Sequence, residues 1–225
     1  RDEADGAGVK IVTGDTKVVD RGKCDKIFIN TSGIGKILKE HRNISFGKDI
    51  VPGDQIIING SIADHGMSIM AARNDLNIQS AITSDCASLN KLIGSALRKS
   101  SKIRFMRDAT RGGLATVLTE LASQKKFGVK IDESAIQVKD SVRGMCELLG
   151  FDPLYVANEG KVVMVVAKED SRAVLNAMKE HPHGSESAII GEISEEHPGR
   201  AWVNTEIGGK RLIDMLAGEQ LPRIC

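Results

Sequence analysis

Apolar positions from residue 47 onward follow two spacings that alternate along the chain, one of a strand and one of a helix. Gln55–Asn59 (Gln-Ile-Ile-Ile-Asn) reads as a short buried strand, and Met67–Asn74 as a helix. Leu89, Leu92, Ile93, Ala96 and Leu97 form the i, i+3, i+4, i+7, i+8 stripe of a core-facing helix. Lys102–Met106, the glycine pair Gly112-Gly113 and the apolar set Leu114, Val117, Leu118, Leu121 read as strand, turn and helix. A further helix carries Val142, Met145, Cys146, Leu148 and Leu149 and stops at Gly150. Val162–Ala167 is apolar on both faces, as a central strand must be. A helix with Ala173, Val174, Ala177 and Met178 follows, ending in His181-Pro-His183-Gly184. Strands Ala188–Ile193 and Arg200–Asn204, a Gly208-Gly209 turn and a last strand from Arg211 to Leu216 complete the domain. Alternation of this kind predicts an α/β (α+β) domain over 47–217.

The first part of the chain has another character. Val9–Thr13 and Lys17–Asp20 read as strands flanking Gly14-Asp15-Thr16, and Asp25–Asn30 as a third strand closing on Thr31-Ser-Gly-Ile-Gly35. Small and glycine residues at strand ends suit either close approach to a phosphate-bearing ligand or a pair of hairpin turns. Lys17, two residues after Asp15, can place a point charge on a phosphate. Lys36–Gly53 is polar and turn-rich, so a domain boundary is placed at 46/47. The chain begins at Arg1 in a charged Gly/Ala stretch resembling a helix end, which suggests the later part of a longer protein.

Composition narrows the function classes. A formal net charge of +1 gives no electrostatic footprint for nucleic acid or a membrane surface. Aromatic residues make up 3% of the chain, too few for a base-stacking surface. No apolar run approaches the length of a membrane span. Cys24, Cys86, Cys146 and Cys225 lie far apart without a C-x-x-C, which points to a reduced, cytoplasmic protein rather than a zinc knuckle or disulfide framework.

Candidate chemistry sits in turns and at the terminus. His65, between Asp64 and Gly66, is a general acid/base or a capping residue. Arg107-Asp-Ala-Thr-Arg-Gly-Gly113 can cap the next helix through Asp108 or Thr110, or bring its amides to an anion. Glu159, in Ala157-Asn-Glu-Gly160, is a base at a cleft mouth or a solvated turn residue. Cys146 reads as core, and the His181/His183 pair as a helix stop rather than a metal site. The last eight residues look like a tether. Gly218 frees the backbone, Pro222 cannot continue a helix, and Cys225 is the final residue. Such an arm spans at most ~26–29 Å, which lets one thiol serve two sites.

Seven motifs in order resemble the HypE family of hydrogenase maturation factors. They are Thr13-Gly-Asp-Thr-Lys-Val-Val19, Phe28-Ile-Asn-Thr31 with Gly33-Ile-Gly35, Asp64-His-Gly66, Ser84-Asp-Cys86, Arg107 to Gly113, Ala157 to Gly160, and Pro222-Arg-Ile-Cys225. That family belongs to the superfamily of aminoimidazole ribonucleotide synthetase and selenophosphate synthetase. The resemblance implies that residues 1–46 are the end of an N-terminal sheet domain for ATP binding and dimerisation. Residues 47–217 would then be the C-terminal α/β domain, and 218–225 a mobile tail.

It also implies a reaction. A HypF-like carbamoyltransferase charges Cys225. ATP, with Mg2+, then drives dehydration of the thiocarboxamide to a thiocyanate, and the HypC–HypD complex receives the cyanide ligand of a [NiFe]-hydrogenase iron. On this reading Cys225, Glu159 and Lys17 are catalytic. Gly14, Asp15, Thr16, Asn30 and Thr31 hold ATP or its phosphates, while His65, Asp85, Asp108, Arg111 and Asn158 organise the site. Family members carry further N-terminal residues with acidic and glycine-rich contacts, so metal ligands are expected outside this chain and a homodimer only at full length. Other readings are a docking module for the same partners, another ATP-dependent member of the superfamily, and a thiol-exchange role for Cys225, which lacks a resolving cysteine nearby in sequence.

Overall fold

The computed structural model describes residues 1–24, 27–73, 82–123 and 125–215. Cys225 and its tail lie outside the described residues. The chain divides into two units, Arg1–Arg42 and Asn43–Cys225.

The first unit contains helix α1 (Asp2–Ala7), closed by Gly8 in the left-handed region, and a 3-10 turn at Lys39–His41. The expected strands at Val9–Thr13 and Lys17–Asp20 are not strands, and neither is the described part of the third, residues 27–30. Val12, Val18 and Ile29 are 86–89% exposed. A strand is stabilised by a neighbour that takes its backbone hydrogen bonds and covers one face, and no described segment pairs with these. Apolar periodicity alone does not make a sheet.

The second unit is built on seven strands: β1 (Gln55–Ile58), β2 (Ile103–Asp108), β3 (Gly128–Asp132), β4 (Val162–Val166), β5 (Ala188–Ser194), β6 (Ala201–Asn204) and β7 (Lys210–Ile213). They form one sheet in the order β2-β4-β1-β5-β3-β6-β7. All pairings are antiparallel except β3 with β6. Its helices are α2 (Asp64–Arg73), α3 (Asn90–Lys99), α4 (Gly113–Ala122), α5 (Asp140–Leu149) and α6 (Lys168–Lys179).

The period-two alternation of strands sorts side chains between two cores. Ile56, Ile58, Val163 and Val165 meet Leu114, Val117, Leu118 and Leu121 of α4. Ile57, Val162, Met164 and Val166 meet Leu92 and Ala96 of α3 and Val174, Leu175 and Met178 of α6. Helices on both faces explain why β4 has no polar position. A third cluster joins Met67 of α2 to Val142, Met145 and Cys146 of α5 and to Val156. Burial pushes the Cys146 thiol up to about 11, so it is a packing residue. Leu148 falls off the helical stripe and is 78% exposed.

Two local expectations need correction. Neither Asp108 nor Thr110 caps α4. The cap position is Gly112 at φ +65°, with no side-chain cap bond, and the Thr110 hydroxyl donates to Asp108 instead (2.7 Å). Strand β3 carries an alternation that the sequence reading passed over, with Val129 and Ile131 fully buried.

Replacing Met164, which is fully buried against α3 and α6, tests this packing. Met164→Ala is expected to lower unfolding free energy by about 2–5 kcal/mol. Leu148→Ala should stay within about 0.5 kcal/mol of the parent. Urea unfolding of both variants checks the contrast.

Candidate functional site

The polar centre of the second unit is the turn that leads into β4. Asp152 accepts from the Leu154 N–H, and Pro153 starts a 3-10 turn ending at Tyr155. The chain then passes through Val156 to Gly160. Asn158 is 1% exposed and uses both ends of its amide. Its Oδ1 accepts from the Ala63 N–H (2.8 Å), while Nδ2 donates to the carbonyls of Ala109 (2.9 Å) and Val156 (3.1 Å). Asn59, at the end of β1, works in the same way. Its Nδ2 donates to the carbonyls of Gly160 (3.0 Å) and His183 (2.9 Å), and its Oδ1 accepts from the Val162 N–H (2.8 Å). Asp85 completes the clamp, accepting from the Glu159 N–H (3.1 Å) and pairing with Lys161 Nζ (3.1 Å). Gly160 is required here, because a Cβ would stand 1.8 Å from the Asp85 carbonyl oxygen.

Beside this turn, α2 begins with Asp64 and His65. A Cβ on Gly66 would lie 2.4 Å from Val156 Cγ1, so the glycine lets the helix start against residues 156–157. The Asp64 carboxylate accepts from the Ser61 hydroxyl (2.6 Å) and pairs with Lys139 (2.9 Å). The His65 side chain is only 9% exposed, with Nε2 4.0 Å from Glu159 Oε1. On its other edge, Nδ1 lies 2.8 Å from Ser84 Oγ and 3.8 Å from Cys86 Sγ. Ser84 Oγ also accepts from the Cys86 N–H (3.1 Å). Asn59, Ser61, Asp64, Ser84, Asp85, Cys86, Lys139, Lys161 and Glu186 are among the residues lining a polar cleft of about 280 Å³. Asp64 Oδ1, at the cleft, and His65 Nε2, behind it, are buried without a hydrogen-bond partner. Buried orphan polar atoms are rare in folded proteins, and two on adjacent residues make this turn a candidate site.

Of the residues expected from the sequence, His65, Asp85, Asn158 and Glu159 converge at this place. Asp108 and Arg111 are exposed, and their segment touches the site through the Ala109 carbonyl that Asn158 engages. Gly14, Asp15, Thr16, Lys17, Asn30 and Thr31 belong to the first unit and are exposed. Asp15, Thr16, Lys17 and Asn30 line one open concavity of that unit. Cys225 is outside the described residues. The sequence reading missed Asn59, Lys139 and Lys161. Asn59 had one available sign, a polar residue closing an otherwise apolar strand.

Residues 51–204 match the family of AIR synthase related proteins, C-terminal domain. Over 223 residues, 99% of the chain, it is 48% identical to the carbamoyl dehydratase HypE of Rhodobacter capsulatus, and it spans 65% of that protein's length. It also superposes on a crystal structure of the hydrogenase maturation protein HypE in complex with ATP. The TM-score there is 0.91 at 46% identity, over 100% of this chain and 68% of the other. A crystal structure of a HypE–HypF complex is similar at a TM-score of 0.88 and 46% identity, over 96% and 69%.

The clamp makes a sharp prediction about Asn158. Asn158→Ala removes the partner of the Ala63 N–H and of the Val156 carbonyl, leaves the Ala109 carbonyl only the Asn158 backbone N–H, and should cost about 1–3 kcal/mol. Asn158→Asp should not rescue it, because a carboxylate cannot donate to the two carbonyls that Nδ2 serves. Thermal unfolding, with hydrogen exchange of the Ala63 amide, checks both.

Proposed function

Because the chain belongs to the AIR synthase related family, in its HypE branch, we propose that it works in ATP-dependent dehydration of a carbamoyl group on Cys225 to a thiocyanate. The thiocyanate would supply the cyanide ligand of a [NiFe]-hydrogenase iron. One observation carries this reading. The Glu159 backbone is fixed through its N–H by Asp85, while its carboxylate, 29% exposed, faces no lysine or arginine among the described residues. A carboxylate on a fixed backbone, with no lysine or arginine paired to it, is equipped to take a proton.

The chemistry needs such a group. The carbamoyl oxygen leaves badly, and accepting the γ-phosphoryl group of ATP turns it into phosphate. Glu159 takes the N–H proton as the C≡N bond forms, a contribution of about 10²–10⁴-fold for a general base. Lys17, with the segments at Gly14, Asp15, Thr16, Asn30 and Thr31, holds the phosphates and offsets their developing charge. Asn158, Asp85, Asp108 and Arg111 act as organisers, and His65 stands beside the base. Mg2+ would neutralise phosphate charge, but the described residues contain no group of three or more His, Cys, Asp or Glu that could hold a metal.

The partners follow from the carrier. A HypF-like enzyme delivers the carbamoyl group, in keeping with the HypE–HypF complex among similar structures. The HypC–HypD pair accepts the product, and the full-length protein forms a homodimer. A cytoplasmic, reducing location keeps Cys225 a thiol. No helix among the described residues is long and apolar enough to cross a membrane.

Two variants of the full-length protein test the reading. Glu159→Gln should still accept the carbamoyl group on the terminal peptide yet stall before the cyano adduct, as intact mass would show. Cys225→Ser should fold and bind ATP but carry neither adduct. Cyano formation at the parent rate by Glu159→Gln would return that residue to a turn role. Hydrogenase maturation by Cys225→Ser would remove the carrier.

A further inference from the structure

Cys225 has no resolving cysteine nearby in sequence, but the fold supplies one in space. Cys146 is packed between α2 and α5, and Cys24 belongs to the first unit. Of the three described cysteines only Cys86 is exposed, and it lines the polar cleft. Its loop is tied to the turn that carries Glu159. Asp85 accepts from the Glu159 N–H (3.1 Å), and a Cβ on Gly160 would stand 3.2 Å from the Ala87 nitrogen. One imidazole ring separates the thiol from the carboxylate, with His65 Nδ1 3.8 Å from Cys86 Sγ and Nε2 4.0 Å from Glu159 Oε1. A carrier thiol delivered to Glu159 therefore arrives beside a second thiol.

We propose that Cys86 is the resolving thiol of Cys225, closing an intramolecular disulfide once Cys225 has reacted with a low-molecular-weight disulfide. The inference rests on the proposed visit of Cys225 to Glu159 and adds a modification site to it. Two further observations support it. Asp64 Oδ1, on a side chain 2% exposed, lies at the same cleft without a donor. A buried carboxylate oxygen of this kind needs an N–H or O–H from outside, and the backbone amides of an arriving peptide supply one. The root of the arm is also held near the site. The Tyr155 hydroxyl, four residues before Glu159, accepts from the Asp214 N–H (3.2 Å) and donates to the Asp214 carbonyl (3.0 Å). The ten residues after Met215 span at most ~33–36 Å, enough to cross a small domain. The exchange takes two steps. Cys225 attacks one sulfur of glutathione disulfide, that S–S bond breaks, and one glutathione leaves. Cys86 then attacks the Cys225 sulfur of the mixed disulfide, and the second glutathione leaves. The protein gives up two electrons and two protons, and both end on the two glutathione thiols. The new bond stores the carrier in the cleft, away from a carbamoyl donor, until a dithiol reduces it.

Glutathione disulfide is the probe, followed by intact mass and peptide mapping of the full-length protein. A short flexible arm gives an effective concentration of the order of mM, so the glutathione pool is set at about a tenth of that. The parent should lose two hydrogens, and the linked peptide of Cys86 and Cys225 should outweigh the glutathione adduct of Cys225 by about tenfold. Cys86→Ser should stop at the adduct, while Cys24→Ser should behave as the parent. Dithiothreitol should return the parent to its thiols and to acceptance of the carbamoyl group. A parent that accumulates the glutathione adduct on Cys225 would overturn the inference. So would a link from Cys225 to Cys24 or to a second chain. Either result leaves the proposed function standing where the reduced protein forms the S-cyano adduct. A reduced parent that forms no such adduct would overturn the proposed function, and with it the reason for Cys225 to enter the cleft.

Discussion

The site depends on the satisfaction of buried amides. The segment 156–162 must turn from a 3-10 turn into a fully buried strand, and each polar group it carries inward needs a partner. Asn59 and Asn158 meet most of that demand between them, with six hydrogen bonds to backbone atoms. Each amide donates twice and accepts once, so neither can be replaced by a residue of one polarity. The result is a backbone fixed at both flanks of Glu159, whose own side chain is among the few nearby left partly exposed. Rigidity of the main chain and freedom of one carboxylate arise from the same bonds.

Charge follows a similar division. Asp64 and Asp85 are almost wholly buried, and each is paired with a lysine. Removing one partner of such a pair leaves an uncompensated buried charge, so the pairs are locked together more by that penalty than by net attraction. Glu159 and His65 stand outside this pairing. A carboxylate salt-bridged to lysine would be a poorer base, because an adjacent cation favours its charged form. Keeping the lysines occupied leaves Glu159 without a cationic partner, as the proposed role requires.

Much of the second unit was legible in the sequence because its signals are local. Strands β1, β4, β5 and β6 and helices α3 to α6 declare themselves through periodicity within a window of a few residues. Strand β3 carries the same signal in Gly-Val-Lys-Ile-Asp, yet it was passed over in a polar stretch. The first unit shows the reverse failure, since its apolar runs resemble strands but have no described neighbour to bond. Glu159 and His65 stood out by residue type in glycine turns. Their proximity did not, because they are 94 residues apart and meet only through the packing of α2 against 156–157. Asn59 was hidden for the same reason. Its partners Gly160 and His183 lie 101 and 124 residues away, and nothing local to a strand-end asparagine names them.

The strand order has a consequence for how this chain is made. Apart from β6 with β7, no two sheet neighbours are consecutive in sequence, and the apolar strand β1 sits between β4 and β5. On a ribosome, the three isoleucines of β1 emerge more than a hundred residues before either strand that will cover their backbone. Closing so long a loop is entropically slow, and topologies rich in distant contacts fold late. The nascent domain therefore exposes a sticky segment until residues near Ile193 have been synthesised. The same pairing that builds the site at the end of β1 delays the burial of that strand until most of the domain has been made.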